Sequence, residues 1–171
     1  MINYFPIFMD LSGKEILIVG GGNIALRRVK TLLQFNCNIN IITPKISKEL
    51  LDIVNKNEHS VKLIKRRYLS ADVRGKILVI AVTSDRNVNK QVGIDSKALG
   101  IPVSVADSKE ECSFIFPGII IEEPIVIGVT ASGKNHKLAK EVTADIKESF
   151  NKRRDFAGKD YINDSCGKQR K

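Results

Sequence analysis

The residues best able to do chemistry begin with a run of three glycines. Gly20-Gly21-Gly22-Asn23-Ile24-Ala25 fits the pattern G-x-G-x-x-A, which acquires meaning when it follows a strand and opens a helix. In that setting Gly20 permits the tight turn, Gly22 lets the backbone approach a pyrophosphate, and Ala25 lets the helix pack closely on the strand. The N–H groups of the first helical turn, with the helix dipole behind them, then face the phosphates. Gly20, Gly21 and Gly22 are therefore expected to hold a dinucleotide, the plainer alternative being a structural glycine turn.

The usual partner of that loop is missing. An acid normally stands at the end of the second strand, roughly 20 residues on, and accepts from the adenosine ribose. Here the chain reads Thr43-Pro44-Lys45. Ribose contact must come from the Thr43 hydroxyl or from backbone groups. Lys45 suits a 2′-phosphate or simply an exposed loop, so these residues leave both NAD and NADP open. Two more polar clusters follow later strands, Thr83-Ser84-Asp85 and Asp107-Ser108. Ligands of open α/β sheets sit outside such strand ends, which makes Thr83 a candidate cofactor contact and Asp107 a candidate for the reacting centre. An ordinary turn aspartate is the alternative for Asp107.

The elements that must position these residues are legible as apolar periodicity. Lys14–Val19 has strand length, and the helix after it places Ile24, Leu26, Val29, Leu32, Leu33 and Phe35 at helical spacing. Strands are predicted at 38–43, 61–64, 77–82 and 101–105, with helices at 46–55 and 86–99. Strands that are nearly all apolar and alternate with helices mean a parallel sheet covered on both faces. The expected fold is a Rossmann-like, doubly wound α/β domain over residues 1–112. A β-hairpin (114–121 and 124–129) and a helix (137–150) follow, forming a dimerisation region over 113–150. Phe114–Ile121 carries no charge, and a surface that sticky predicts burial against a second subunit. Residues 151–171 read as a loose basic tail.

Composition narrows the field. The 171 residues are 43% hydrophobic and 27% charged, an ordinary globular balance. No apolar run approaches the length of a membrane span, and no leader pattern opens the chain, so a soluble cytoplasmic protein is expected. Cys37, Cys112 and Cys166 are widely spaced, which favours free thiols over disulfides or a metal cage. The net charge of +9 includes +4 from residues 151–171. That suits a polyanionic ligand, nucleic acid or an acidic membrane surface, and equally a plain solvated basic surface.

Taken together, several segments resemble the dehydrogenase domain of the siroheme-synthase family, the precorrin-2 dehydrogenases. They are Tyr4-Phe-Pro-Ile-Phe8, Ile18-Val-Gly-Gly-Gly-Asn-Ile-Ala25, Ala81-Val-Thr-Ser-Asp85 with Asn89, Val103-Ser-Val-Ala-Asp107, Cys112-Ser-Phe-Ile-Phe-Pro117 and Thr130-Ala-Ser-Gly-Lys134. The resemblance implies NAD-dependent oxidation of precorrin-2 to sirohydrochlorin, with Fe²⁺ insertion in some relatives, and a homodimer built on the hairpin. It implies that Asn23, Ile24, Pro44 and Lys45 line the NAD site and that Asp107 is central to catalysis. Two departures stand out: Ser104 where the family has Asn, and Thr130–His136 in place of a Ser-Thr-Gly-Gly-Lys-Ser-Pro loop. The family also continues into a further small helical region beyond the last helix recognised here. Lys134, His136 and Arg86 are candidate partners for the substrate's carboxylates.

Two rival readings remain. A non-catalytic NAD(H)-binding sensor module would bind cofactor without turnover. A nucleic-acid binder using the basic tail would show steeply salt-dependent affinity, yet aromatics are 6% and Trp is absent, which speaks against it.

Overall fold

Five short, largely apolar strands lie in the first two-thirds of the chain, and the computed structural model joins them in one parallel sheet. It describes residues 4–133 and 135–164, with the backbone alone for His136 and 153–164. The strands are β1 (Glu15–Val19), β2 (Asn38–Ile42), β3 (Val61–Ile64), β4 (Leu78–Ala81) and β5 (Val103–Val105). Their order is β3-β2-β1-β4-β5. Ile16, Leu17 and Ile18 of the central strand have no exposed surface, so both faces of β1 are covered.

Three helices cover the sheet: α1 (Asn23–Leu32), α2 (Lys48–Lys56) and α3 (Arg86–Ala98). Right-handed crossovers place α1 and α2 on one face and α3 on the other. α1 buries Ala25, Val29 and Leu32, and α2 buries Leu50 and Val54, each at the spacing of one helical face. α3 differs, because its buried stripe is Asn89, Val92, Gly93 and Ser96, half of it polar. A Cβ on Gly93 would lie 3.4 Å from Val105 Cγ2, so α3 lies close against β5.

The chain reverses direction in the sheet between β1 and β4. That switch point, at the carboxyl ends of the strands, is where this fold opens a crevice for ligands.

Some boundaries differ from the sequence expectation. The end of the first helix tightens into a 3₁₀ turn at Leu33–Phe35, stopped by Asn36 in the left-handed region at φ 49°. A further 3₁₀ turn, Ser70–Val73, buries Val73. The hairpin strands are β6 (Gly118–Glu122) and β7 (Ile125–Val129), so Phe114–Pro117 lies outside the ladder, where Pro117 could not have donated. The last helix, α4, runs from His136 to Asp164. Residues 151–164, expected as a loose tail, thus continue a helix. Apolar periodicity fades near Phe150, but helix needs only backbone bonds and compatible side chains, and Glu148 pairs with Lys152 one turn on at 2.8 Å. Residues 165–171, including Cys166, lie outside the described residues.

The described residues form two compact units: 7–115, and 4–6 together with those from 116 to 164. In the second, β6 and β7 pair antiparallel and α4 packs on β6. Ile120 is buried there, while Ile125 and Val126 of β7 and Leu138 and Val142 of α4 stay exposed. Among the described residues no helix is long and apolar enough to cross a membrane.

Candidate functional site

Four loops leave the carboxyl ends of β2, β1, β4 and β5 side by side, and the expected residues Gly20–Gly22, Thr43–Lys45, Thr83 and Asp107 lie on them, with Asn23, Ile24 and Arg86 in the first turns of the helices that follow. The glycine loop follows β1. Gly20 has φ +129°, and a Cβ there would stand 2.6 Å from the Val82 carbonyl oxygen. Gly21 is tighter still, since its Cβ would run into the Lys45 carbonyl oxygen. Both positions require glycine to pack the loop.

Gly22 is different. A Cβ there would meet nothing within 4 Å. It is the N-cap of α1, offers no side-chain acceptor, and is followed by a first turn without an acid. The leading N–H groups of a helix lack intrahelical partners, so this end presents exposed donors and a positive dipole to open space. Gly22, Asn23 and Ile24 are exposed, and Ala25 is buried beneath them. An arrangement of this kind can cradle a pyrophosphate.

The loop after β2 closes on this cradle from behind. Ser47 N–H donates to the Gly21 carbonyl at 2.9 Å, and Gly20 N–H to Ile42 at 2.9 Å. Thr43 is only 4% exposed, and its hydroxyl donates to the Lys45 carbonyl at 2.6 Å. Its single proton is therefore spent on shaping the turn. Pro44 and Lys45 are exposed and form the outer edge of this side of the site.

On the other side of β1, side chains rather than backbone build the site. Asp85 caps α3, accepting from Asn87 N–H at 2.9 Å and Val88 N–H at 3.3 Å. The first turn of α3 then carries Arg86 outward, and the second puts Asn89 inward, fully buried. The Asn89 amide accepts from the Thr83 N–H at 3.0 Å and lies 2.8 Å from the Thr83 hydroxyl. It donates to the Thr83 carbonyl at 3.0 Å and to Asp107 Oδ2 at 2.8 Å.

Asp107 follows β5 and is more than a third exposed, with Arg86 3.7 Å from its Oδ1. The Arg86 guanidinium is hydrogen-bonded to Glu111, which raises it above its ordinary range and holds Glu111 below the usual carboxylate value. Cys112 supports the turn from below: its Sγ accepts from Val105 N–H at 3.1 Å and lies 3.3 Å from the Ser108 carbonyl.

The structure thus brings Gly20–Ile24 together with Thr43–Lys45 behind the phosphate cradle, and joins Thr83 to Asp107 through Asn89. Lys134 and the side chain of His136 lie outside the described residues. Asn89 and Glu111 are the residues that the reading for site groups missed. The signals for Asn89 were its place in the segment that carries the family resemblance, Ala81–Asp85 with Asn89, and a polar residue on the apolar stripe of a helix, four positions after the capping Asp85.

Residues 7–118 match the family model described as "Putative NAD(P)-binding". The chain belongs to that NAD(P)-binding family. The residues of the glycine loop fit such a cofactor, since the space over Gly22 is open and the N-terminus of α1 stands beside it. Among similar proteins, the multifunctional siroheme biosynthesis protein HemA of Ruminiclostridium josui is 47% identical over 148 residues, covering 84% of this chain and 28% of its own length. A siroheme synthase of a Psychrobacter species is 40% identical over 146 residues, covering 85% of this chain and 30% of its own. The chain therefore spans under a third of the length of these curated relatives.

Among solved structures, SirC, a precorrin-2 dehydrogenase, superposes with a TM-score of 0.69 at 23% identity, over 85% of this chain and 71% of that one. The domain shares that fold. The likeness to siroheme biosynthesis proteins expected from the sequence is borne out by these relatives.

Proposed function

We propose that this chain oxidises precorrin-2 to sirohydrochlorin with NAD, as a step toward siroheme, and acts in the cytoplasm as a homodimer. The observation that carries the reading is Asp107: an exposed carboxylate at the end of β5, tied to a fully buried amide, on the ligand-binding edge of an NAD(P)-binding sheet. The siroheme biosynthesis relatives at 40–47% identity support the choice of substrate.

The reaction removes two hydrogens from the macrocycle, one as hydride and one as proton. NAD held at the glycine loop would supply the hydride acceptor. The chain's own task is to hold the dinucleotide phosphates at Gly22–Ile24 and the nucleoside side at Thr43–Lys45, and to receive the proton at Asp107. A positioned general base contributes on the order of 10²–10⁴ in rate. The net charge of +9 favours encounter with a polycarboxylate substrate. If Fe²⁺ insertion follows, the same carboxylate is the group placed to take the pyrrole protons, with the metal as a substrate.

The dimer rests on the exposed Ile125 and Val126 of β7 and Leu138 and Val142 of α4, an apolar surface of the kind that marks an interface. Light scattering should give a dimer at micromolar concentration, and Ile125→Asp should give a monomer. A wild-type monomer would refute the assembly.

The function itself is tested by anaerobic incubation with precorrin-2 and NAD. The sirohydrochlorin spectrum should appear with stoichiometric NADH, and adding Fe²⁺ should then test chelation. Binding of NAD(H) without any turnover would instead favour a sensor module.

A further inference from the structure

We infer that Asn89 is a positioning residue, which decides which carboxylate oxygen of Asp107 is presented to the substrate. The inference rests on the dehydrogenase reading above and gives the buried amide beside Asp107 a task of its own.

A primary amide has two donor hydrogens and a carbonyl oxygen with two acceptor sites. In Asn89 both donors and the carbonyl oxygen are engaged. Thr83 takes one donor through its carbonyl and supplies its N–H to the amide oxygen, with its hydroxyl 2.8 Å from that oxygen and 2.9 Å from the Asp85 carbonyl, and Asp107 Oδ2 takes the remaining donor at 2.8 Å. These partners explain how a wholly buried polar side chain is tolerated on α3. They also mean that the amide cannot rotate to release Asp107, because its other edge is gripped by the backbone at the end of β4.

Three of the four interactions only fasten Asn89 to Thr83. The fourth crosses to the end of β5 and ends on a charge. With Oδ2 engaged, Oδ1 is the oxygen left to meet a ligand. Arg86 stands on that side but at 3.7 Å, outside hydrogen-bond reach, and its guanidinium is engaged by Glu111. Oδ1 thus keeps lone pairs for an incoming proton. Aspartates that merely turn a chain need no such buried donor.

The test is Asn89→Asp, which keeps size and shape and replaces the donor facing Asp107 by an oxygen. NAD affinity should stay within about twofold, since the phosphate cradle is untouched. At neutral pH kcat should fall by at least about tenfold, and the acidic limb of its pH profile should move up by about one unit or more, as expected when a carboxylate loses a donor and gains a like charge. In an Asp107→Asn background the same substitution should move no limb.

A second reading needs no substrate. In protein carrying ¹³C-labelled aspartate carboxyls, the Asp107 titration should move to higher pH in Asn89→Asp. Asn89→Ser, too short to reach Asp107, should move it in the same direction and covers the case in which Asn89→Asp does not fold. An unmoved Asp107 titration in a folded variant overturns the inference and leaves Asn89 a clamp between α3 and β4. Absence of precorrin-2 oxidation by the wild type would instead remove the dehydrogenase reading, and the NMR titration would still decide the role of Asn89.

Discussion

The two sides of the ligand edge are built from different materials. Around the end of β1 the site is backbone: a glycine loop whose first two members fill tight space and whose third opens onto a phosphate cradle. At the ends of β4 and β5 it is side chains, with Thr83, Asn89, Asp107, Arg86 and Glu111 holding one another. A backbone site grips what all dinucleotides share, their phosphates, and it does so by leaving room. A side-chain network sets a particular charge at a particular place, as a reaction requires. The division predicts that binding and chemistry can be damaged separately.

The largest effect should come from Gly20→Ala. The left-handed φ of +129° and a carbonyl oxygen at 2.6 Å leave no place for a methyl group, so unfolding in denaturant should show a loss of at least about 3 kcal/mol. Near-normal stability would mean that the loop is looser than the packing implies. Gly22→Asp should act only on binding. The position is exposed, open and an N-cap, where aspartate is well tolerated. Its carboxylate would occupy phosphate space and repel the pyrophosphate, so NAD affinity should fall about a hundredfold or more with the melting temperature kept, since like-charge contact costs several kcal/mol. Unchanged affinity in this variant would detach the glycine loop from the cofactor site.

The smallest effect concerns a structural pair away from both regions. Arg66 grips Asp72 through two hydrogen bonds of 2.7 and 2.6 Å, and the first of several causes holding the Asp72 carboxyl below its ordinary value of 3.8 is this arginine. A carboxylate depressed in the folded state contributes stability that is complete above its unfolded value and is lost as pH falls through the folded one. Stability of the wild type should therefore decline below about pH 4 more steeply than that of Asp72→Asn, with little difference in slope near neutrality. Identical acid limbs in urea melts would show that the pair contributes nothing.

The same contrast explains what the sequence made legible. Gly20-Gly21-Gly22 announces its role because only glycine meets the backbone demand, and β1 and β4 are visible as unbroken apolar runs. The network at Asp107 is not visible in this way. Thr83, Asn89 and Asp107 come from three elements, and only the packing of α3 on β5 through Gly93 brings them within hydrogen-bond distance. Thr43 was legible as the residue at the end of β2, but not that its hydroxyl turns back to Lys45. The extension of α4 past Phe150 was hidden because nothing in its apolar pattern required it.

The central claim, that the side-chain region performs the chemistry and the backbone region only holds the cofactor, is tested most directly by Asp107→Asn. Anaerobic precorrin-2 turnover at saturating NAD should be measured beside NAD affinity on the same preparation. Fold and NAD affinity should be unchanged and turnover reduced by at least about tenfold, within the range a general base supplies. Turnover at the wild-type rate would contradict the claim and leave Asp107 an ordinary turn residue at the end of β5.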